Sequence, residues 1–78
     1  MKYAMKYERI RNLREDNDLT QQNMADKLFI NRRTYSNYET GGRSIPVDIL
    51  SSIADIFNTS TDYLIGRTNV KKPYPKNK

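Results

Sequence analysis

Five polar side chains between residues 32 and 37 carry hydrogen-bonding groups of the kind that contact nucleic-acid bases. They are Arg32, Arg33, Thr34, Ser36 and Asn37. The guanidinium group of an arginine can donate two parallel hydrogen bonds to the edge of a guanine in the major groove of a duplex. We therefore predict that these side chains contact base edges, provided that the surrounding chain holds them on one surface.

Two short helices joined by a tight turn are predicted around these residues, over residues 20–41. Thr20 is a favourable N-cap residue for the first helix. Met24, Ala25 and Leu28 then recur at the spacing of one helical face, so they form its inward stripe. Ala25 is small, and a bulkier residue would overpack the contact where two helices cross closely.

The second helix is predicted at about residues 31–39. Asn31 is a favourable N-cap residue, and the spacing of Tyr35 and Tyr38 places both rings on the inward face. The two arginines then lie on the outward face. The N-terminus of such a helix also attracts a phosphate group, because its free N–H groups and its dipole are positive there.

A long series of positions, in order along the chain, carries a resemblance to a known family. The matching residues are Ile10, Leu13, Arg14, Leu19, Thr20, Gln21, Ala25, Leu28, Ile30, Asn31, Arg32, Tyr35, Tyr38, Glu39, Gly41, Pro46, Leu50, Ile53, Ala54, Asp62, Tyr63, Leu64 and Gly66. From about residue 7 to residue 66 the chain resembles the phage-repressor and Cro-like helix-turn-helix family, also called the XRE family. The resemblance implies an all-α fold, a compact five-helix lambda-repressor-like DNA-binding domain with the helix-turn-helix in its second and third helices.

Phe29 departs from the family pattern, which commonly has glycine in the turn between the two helices. If residue 29 must adopt a positive φ, phenylalanine there costs roughly 1–2 kcal/mol. We expect the turn to be kept with an altered shape.

The resemblance also implies roles for the polar residues of the helix pair. By position, Arg32, Arg33 and Asn37 read base edges, with Thr34 and Ser36 as secondary candidates. The residues expected to contact phosphate groups are Gln21, Asn31 and Arg43.

Two further roles are implied in the same way. In similar proteins an arginine of the first helix forms an ion pair with the glutamate that ends the recognition helix, and these residues are Arg14 and Glu39 here. The alternative is a surface arginine that stabilises the fold very little. In related repressors the fifth helix lies near a two-fold axis, so a dimer contact is expected among Tyr63, Leu64 and Ile65. Packing in the core explains these three residues at least as well.

The remaining helices follow from apolar spacing and capping residues. The first helix is predicted at about residues 6–16. Pro46 suits the first turn of a fourth helix, whose broad apolar face extends to Phe57. Ser60 can cap a short fifth helix that Gly66 stops.

The composition indicates the size of the fold and excludes several kinds of binding site. A chain of 78 residues supports one small domain, which buries only about 60% of its unfolded surface. It contains no cysteine and no histidine, which excludes disulfide bridges and the usual zinc ligand sets. The sequence lacks a secretory apolar core and any apolar run near the roughly 20 residues that cross a bilayer, so we expect a cytoplasmic protein.

The net charge of +5 is concentrated near the C-terminus. The basic residues there are Arg67, Lys71, Lys72, Lys76 and Lys78, and without them the numbers of basic and acidic residues are equal. We therefore predict a helix-turn-helix domain at residues 1–66 and a basic, disordered tail at residues 67–78. Within the domain, residues 27–43 are mainly basic, which indicates one positive face.

Together these features predict a transcriptional regulator that binds double-stranded DNA in a sequence-specific manner, and more specifically a repressor. It would act as a homodimer on a palindromic operator. A second class of function is a protein-interaction module, such as an antitoxin or a phage-encoded inhibitor, that uses the same helical bundle. A third class is a small nuclease, which would need a metal held by carboxylates, whereas the acids are scattered or committed to caps and pairing. We predict no catalytic residue, no metal or other cofactor, and no membrane partner.

Overall fold

The computed structural model describes residues 7–73, and over this range the chain forms five α-helices joined by short turns. The described residues contain no strand, and the predicted all-α, five-helix fold is confirmed. Within the same range no helix is long and apolar enough to cross a membrane. The helices are α1 (Glu8–Asp16), α2 (Gln21–Leu28), α3 (Arg32–Thr40), α4 (Val47–Ile56) and α5 (Thr61–Leu64).

Three helices begin at the capping residues that the sequence predicts. In each case a side-chain oxygen accepts a hydrogen bond from a backbone N–H group of the first turn, which has no partner inside the helix. The donor–acceptor pairs are Asn23 N to Thr20 Oγ1 at 3.0 Å, Thr34 N to Asn31 Oδ1 at 2.8 Å, and Tyr63 N to Ser60 Oγ at 3.0 Å.

Two predicted helix starts are wrong by one or two residues. Tyr7 has an extended backbone (φ −95°, ψ 92°), so α1 begins at Glu8 and not at residue 6, which itself lies outside the described residues. Pro46 also has an extended backbone (φ −60°, ψ 150°) and precedes α4, which begins at Val47. The proline ring fixes φ at a value that helical and extended chains share, so the residue type alone does not place it inside the first turn.

All five described helices end at a residue with left-handed backbone angles. In four of them the N–H group of that residue bonds to the carbonyl three residues earlier, and the next N–H group bonds to the carbonyl five residues earlier, as in a Schellman motif. Phe29 ends α2 in this way, so the helix-turn-helix turn is kept despite the missing glycine. The left-handed residues of these four ends are Asp18 (φ 57°), Phe29 (φ 59°), Asn58 (φ 52°) and Gly66 (φ 85°), and Gly41 (φ 85°) ends α3.

One apolar core joins the helices. It contains the predicted inward residues of α2, apolar residues of α1, α4 and α5, and the two tyrosines of α3. Burying one large apolar side chain completely stabilises a fold by about 1.5–3 kcal/mol, so this core supplies the main driving force for packing. The buried apolar residues are Ile10, Leu13, Met24, Ala25, Leu28, Tyr35, Tyr38, Leu50, Ile53, Ala54 and Leu64.

Leu64 lies in this core and has only 1% of its surface exposed. Its side chain therefore packs in the core, the alternative that the sequence favours at least as well, and leaves almost no area for a second protomer. Tyr63 and Ile65, on either side of it, are half-buried and keep part of their surface accessible.

Residues 67–73 lie against the bundle, whereas the sequence places the end of the domain at Gly66. Arg9 of α1 donates hydrogen bonds to the carbonyl oxygen of Thr68 and to Asn69 Oδ1, the latter at 2.6 Å. The hydroxyl group of Thr59 donates to the carbonyl oxygen of Lys71. Residues 67–73 therefore contact α1 and the turn between α4 and α5, while residues 74–78 of the predicted tail lie outside the described residues.

Candidate nucleic-acid interface

The predicted orientation of α3 relative to the bundle is present in the structure. Tyr35 has no exposed surface and Tyr38 has 6%, so both rings face the core. In α2, the helix before α3, Ala25 is also fully buried. Because α3 packs through one face only, its opposite face is left on the surface of the molecule.

The outward face of α3 presents the residues predicted to contact bases. Arg32, Arg33 and Asn37 are exposed, while Thr34 and Ser36 are half-buried. Arg33 and Asn37 are four residues apart, so their side chains share one side of the helix. Within residues 7–73, neither arginine forms a hydrogen bond or an ion pair. Both guanidinium groups therefore keep all their donors available for a ligand.

The residues predicted to contact phosphates lie around the same face. Asn31 is exposed, although its amide oxygen is used in capping α3. Arg43 is exposed in the loop after α3, and its backbone N–H donates to the carbonyl oxygen of Asn37 at 3.2 Å. This bond fixes the loop beside the end of α3. Gln21, the first residue of α2, is half-buried.

A network of hydrogen bonds around Glu39 connects α1, α2 and α3. Glu39 Oε2 accepts from Arg14 Nε at 2.8 Å and from the Tyr35 hydroxyl group at 2.6 Å. Glu39 Oε1 accepts from Arg14 Nη2 at 3.0 Å and from Gln21 Nε2 at 3.1 Å. The structure thus contains the Arg14–Glu39 ion pair, in which two nitrogens of the guanidinium group each donate to a different oxygen of the carboxylate. Arg14 also donates to the carbonyl oxygen of Leu19 at 2.8 Å, which holds the turn before α2.

These contacts shift the pKa of each of the titratable groups in the network, which are Glu39, Tyr35 and Arg14. Burial alone would raise the pKa of Glu39, but the hydrogen bonds from Arg14, Tyr35 and Gln21 outweigh it and lower that pKa. Burial, together with the bond to Glu39, raises the pKa of the Tyr35 hydroxyl group. The hydrogen bond to Glu39 raises the pKa of Arg14. The network therefore holds an ionised carboxylate inside the fold.

The network also determines the charge of the neighbouring surface. Between residues 27 and 43 the basic residues are Lys27, Arg32, Arg33 and Arg43, and Glu39 is the acid among them. Glu39 is 4% exposed and paired with Arg14, so its charge is compensated inside the protein. The four basic side chains are exposed. This side of the molecule consequently presents positive charge to a ligand.

Sequence reasoning missed two members of the Glu39 network. Tyr35 was assigned to the core only, although its spacing of four residues from Glu39 places the two side chains on one face of α3. That spacing is the signal that identifies its hydrogen bond. Gln21 was assigned to phosphate contact alone, and it lies 18 residues from Glu39, so local spacing gives no indication of their bond.

The arrangement offers donors for an anionic, hydrogen-bonding ligand. Within residues 7–73, no three histidine, cysteine, aspartate or glutamate side chains are grouped as a metal ion requires.

Comparison with known proteins agrees with this architecture. Residues 10–64 match a family model described as helix-turn-helix. The chain is 45% identical over 65 residues to the uncharacterized helix-turn-helix (HTH)-type transcriptional regulator YqaE of Bacillus subtilis (strain 168), covering 82% of this chain and 56% of YqaE. It is 36% identical over 72 residues to the HTH-type transcriptional regulator AnsR of the same organism, covering 92% of this chain and 62% of AnsR.

A third similar protein has a different description. The chain is 33% identical over 64 residues to the antitoxin PezA of Streptococcus pneumoniae serotype 4 (strain ATCC BAA-334 / TIGR4), covering 82% of this chain and 40% of PezA. This chain thus spans between 40% and 62% of the length of these three relatives. No solved structure matches the chain significantly.

Proposed function

We propose that this chain, which belongs to the XRE-type helix-turn-helix family, is a sequence-specific DNA-binding regulator of transcription. In this proposal α3 is the recognition helix and enters the major groove, while α2 lies across the backbone. The names of the relatives YqaE and AnsR, both HTH-type transcriptional regulators, support this assignment. The proposal includes no enzymatic step and no cofactor.

The observation that carries the proposal is the outward face of α3. Its two arginines are exposed and have no carboxylate partner within the described residues, while Glu39 is sequestered by Arg14, Tyr35 and Gln21. An exposed carboxylate at this place would repel phosphate groups and compete for the guanidinium donors. Because the guanidinium donors are free and the charge of Glu39 is paired inside the protein, this helix face can donate hydrogen bonds to the edge of a base pair.

The residues have two kinds of role in the proposed complex. Arg32, Arg33 and Asn37 contact base edges, with Thr34 and Ser36 as secondary contacts. Phosphate contacts come from Gln21, Asn31 and Arg43. Phosphate contacts supply affinity that falls with salt, whereas base contacts supply discrimination of about 1–3 kcal/mol for each well-placed pair.

We further propose that the protein acts in the cytoplasm as a homodimeric repressor. Two recognition helices about 34 Å apart would enter successive major grooves of a palindromic operator. Bound there, the dimer would block polymerase sterically. Tyr63 in α5 and Ile65 directly after it keep accessible surface and are the residues proposed for the contact between protomers.

Alanine substitutions separate the two kinds of contact. Arg43→Ala should weaken binding to specific and random duplexes alike and reduce the salt slope by about one. Arg32→Ala and Arg33→Ala should instead relax preference at particular base pairs. Arg11→Ala removes an exposed arginine of α1 and serves as the control for loss of charge. Anisotropy titrations on both kinds of duplex at several salt concentrations measure these effects. Equal losses for all three interface variants on both duplexes would rule out the assignment.

A protein-interaction module is the second candidate function, and the similarity to the antitoxin PezA favours it. The same bundle would then cover a partner protein. Affinity capture and selection of bound DNA, run in parallel on the same preparation, distinguish the two functions. A stoichiometric protein partner together with no enriched DNA motif would support the second candidate.

A further inference from the structure

Phe29 combines two features that do not favour folding. Its side chain is 94% exposed, more than either of the other large exposed hydrophobic residues, Val47 and Val70. Its backbone is left-handed, with φ 59° and ψ 40°, a conformation that phenylalanine adopts only with strain. The Schellman bonds that end α2 need this conformation but not this side chain. Strained residues of this kind cluster at functional sites.

Phe29 lies in the turn directly before α3, next to one end of the candidate interface. It lies two residues before the N-cap residue Asn31 and three before Arg32. Three residues of chain span at most about 10 Å. In the proposed complex the first turn of the recognition helix is the part that reaches the base edges. In the proposed complex Phe29 is therefore close to the part of the chain that enters the groove, and close in sequence to exposed cations that attract the duplex.

We propose that Phe29 contacts the duplex and adds to specificity, its ring packing on apolar surface at the edge of the major groove. The apolar groups available there are the C5 methyl group of thymine and the deoxyribose of the backbone. This inference rests on the proposed DNA-binding function. Burial of the exposed ring on binding accounts for an aromatic side chain at a position whose backbone suits glycine.

Phe29→Gly separates the effect on folding from the effect on binding. Glycine relieves the left-handed strain, so the melting temperature should rise by about 4–8 °C, as for a small stabilisation of a domain of this size. Affinity for the operator selected by the wild-type protein should nevertheless fall about tenfold. Phe29→Leu, which keeps apolar bulk, should retain more affinity than Phe29→Gly. Thermal unfolding and anisotropy titration on the same samples measure both quantities.

Two control variants test whether a loss of affinity comes from removal of the Phe29 ring. Asn58→Gly places glycine at another left-handed helix end, in the α4–α5 turn, and should leave affinity unchanged. Val70→Ser removes an exposed apolar side chain outside the helix pair and should also leave affinity unchanged.

Operators with single thymines replaced by deoxyuridine identify the group that the ring contacts. If the ring packs on a thymine methyl group, one replacement weakens wild-type binding and has no effect on Phe29→Gly. If it packs on deoxyribose, every replacement affects both proteins equally while Phe29→Gly still binds about tenfold more weakly.

Equal affinity of Phe29→Gly and the wild-type protein for the operator would overturn the inference and leave the proposed function intact. Loss of a captured protein partner without loss of DNA affinity would overturn it in favour of a protein contact. If the wild-type protein selects no duplex sequence, the proposed function and this inference both fail.

Discussion

Glu39 is the residue that joins the three helices around the candidate interface. Its two oxygens together accept four hydrogen bonds, from Arg14, Tyr35 and Gln21. The described part of the protein has no buried side-chain nitrogen or oxygen without a hydrogen-bond partner. A buried ionised group is tolerated only under such conditions, because an unpaired one is strongly destabilising. The network therefore fixes α3 relative to α1 and to the start of α2.

Substitution of Glu39 should change how stability depends on pH. The pKa of Glu39 is lowered in the folded protein, so its stabilising effect is complete above the unfolded pKa, near 4.5, and is lost as the pH falls through the folded pKa. Glu39→Gln should reduce the free energy of unfolding at pH 7 by about 3 kcal/mol, since it breaks a buried ion pair. The difference from the wild-type protein should then shrink as the pH falls below the unfolded pKa and through the folded pKa.

Urea unfolding of both proteins from pH 3 to pH 8, followed by circular dichroism, measures this difference. Other carboxylates titrate in the same range, but they are common to both proteins and cancel in the comparison. A difference that stays constant down to pH 3 would show that the ionised form of Glu39 does not stabilise the fold.

Ala25 is a small residue at a fully buried position of the α2–α3 pair. It has no exposed surface and belongs to the apolar core that joins the helices. Side chains inserted into a well-packed core force strained rotamers and backbone shifts. The pair therefore tolerates only a small residue here.

Ala25→Leu should lower the free energy of unfolding by about 1–3 kcal/mol because it overpacks this contact. Ser52→Leu is the matched control, since it adds similar bulk at an exposed position of α4 and should change stability by less than about 0.5 kcal/mol. Chemical denaturation gives both values. Similar losses for the two variants would mean that bulk at residue 25 is accommodated without strain.

The starts of α2, α3 and α5 could be predicted from the sequence, because a capping residue marks each of them. Thr20, Asn31 and Ser60 act through a bond to the next few residues, so residue type and position are sufficient. The left-handed ends at Phe29 and Asp18 carry no glycine to mark them. The chain adopts them because packing of the flanking helices fixes the direction of the turn, and that constraint is not local.

Arg9 in α1 connects the start of the described chain to its last residues, and the sequence gives no sign of this contact. Arg9 of α1 donates to the carbonyl oxygen of Tyr63 at 2.8 Å, across 54 residues, and its guanidinium carbon lies 4.2 Å from the centre of the Tyr63 ring. It also contacts Thr68 and Asn69. Contacts between residues so far apart leave no periodic pattern, so the sequence gives no signal for them.

Arg9→Leu should therefore lower the free energy of unfolding by about 2 kcal/mol, since it removes several charge-assisted hydrogen bonds and the contact with the Tyr63 ring. Arg11→Leu is the control on the same helix, because Arg11 is exposed and pairs only with Glu15 among the described residues. Loss of the Arg11–Glu15 pair should lower the free energy of unfolding by about 0.5 kcal/mol or less. If both variants unfold at the same urea concentration, residues 67–73 contribute nothing to the stability of the bundle.

For the whole molecule, the central claim is that two copies place exposed arginines of α3 in successive major grooves. The most direct measurement is selection of bound duplexes from a random pool by the full chain, followed by sequencing. The proposal predicts an enriched inverted repeat whose half-site centres are about 10–10.5 base pairs apart. Selection that enriches no motif after repeated rounds would contradict it.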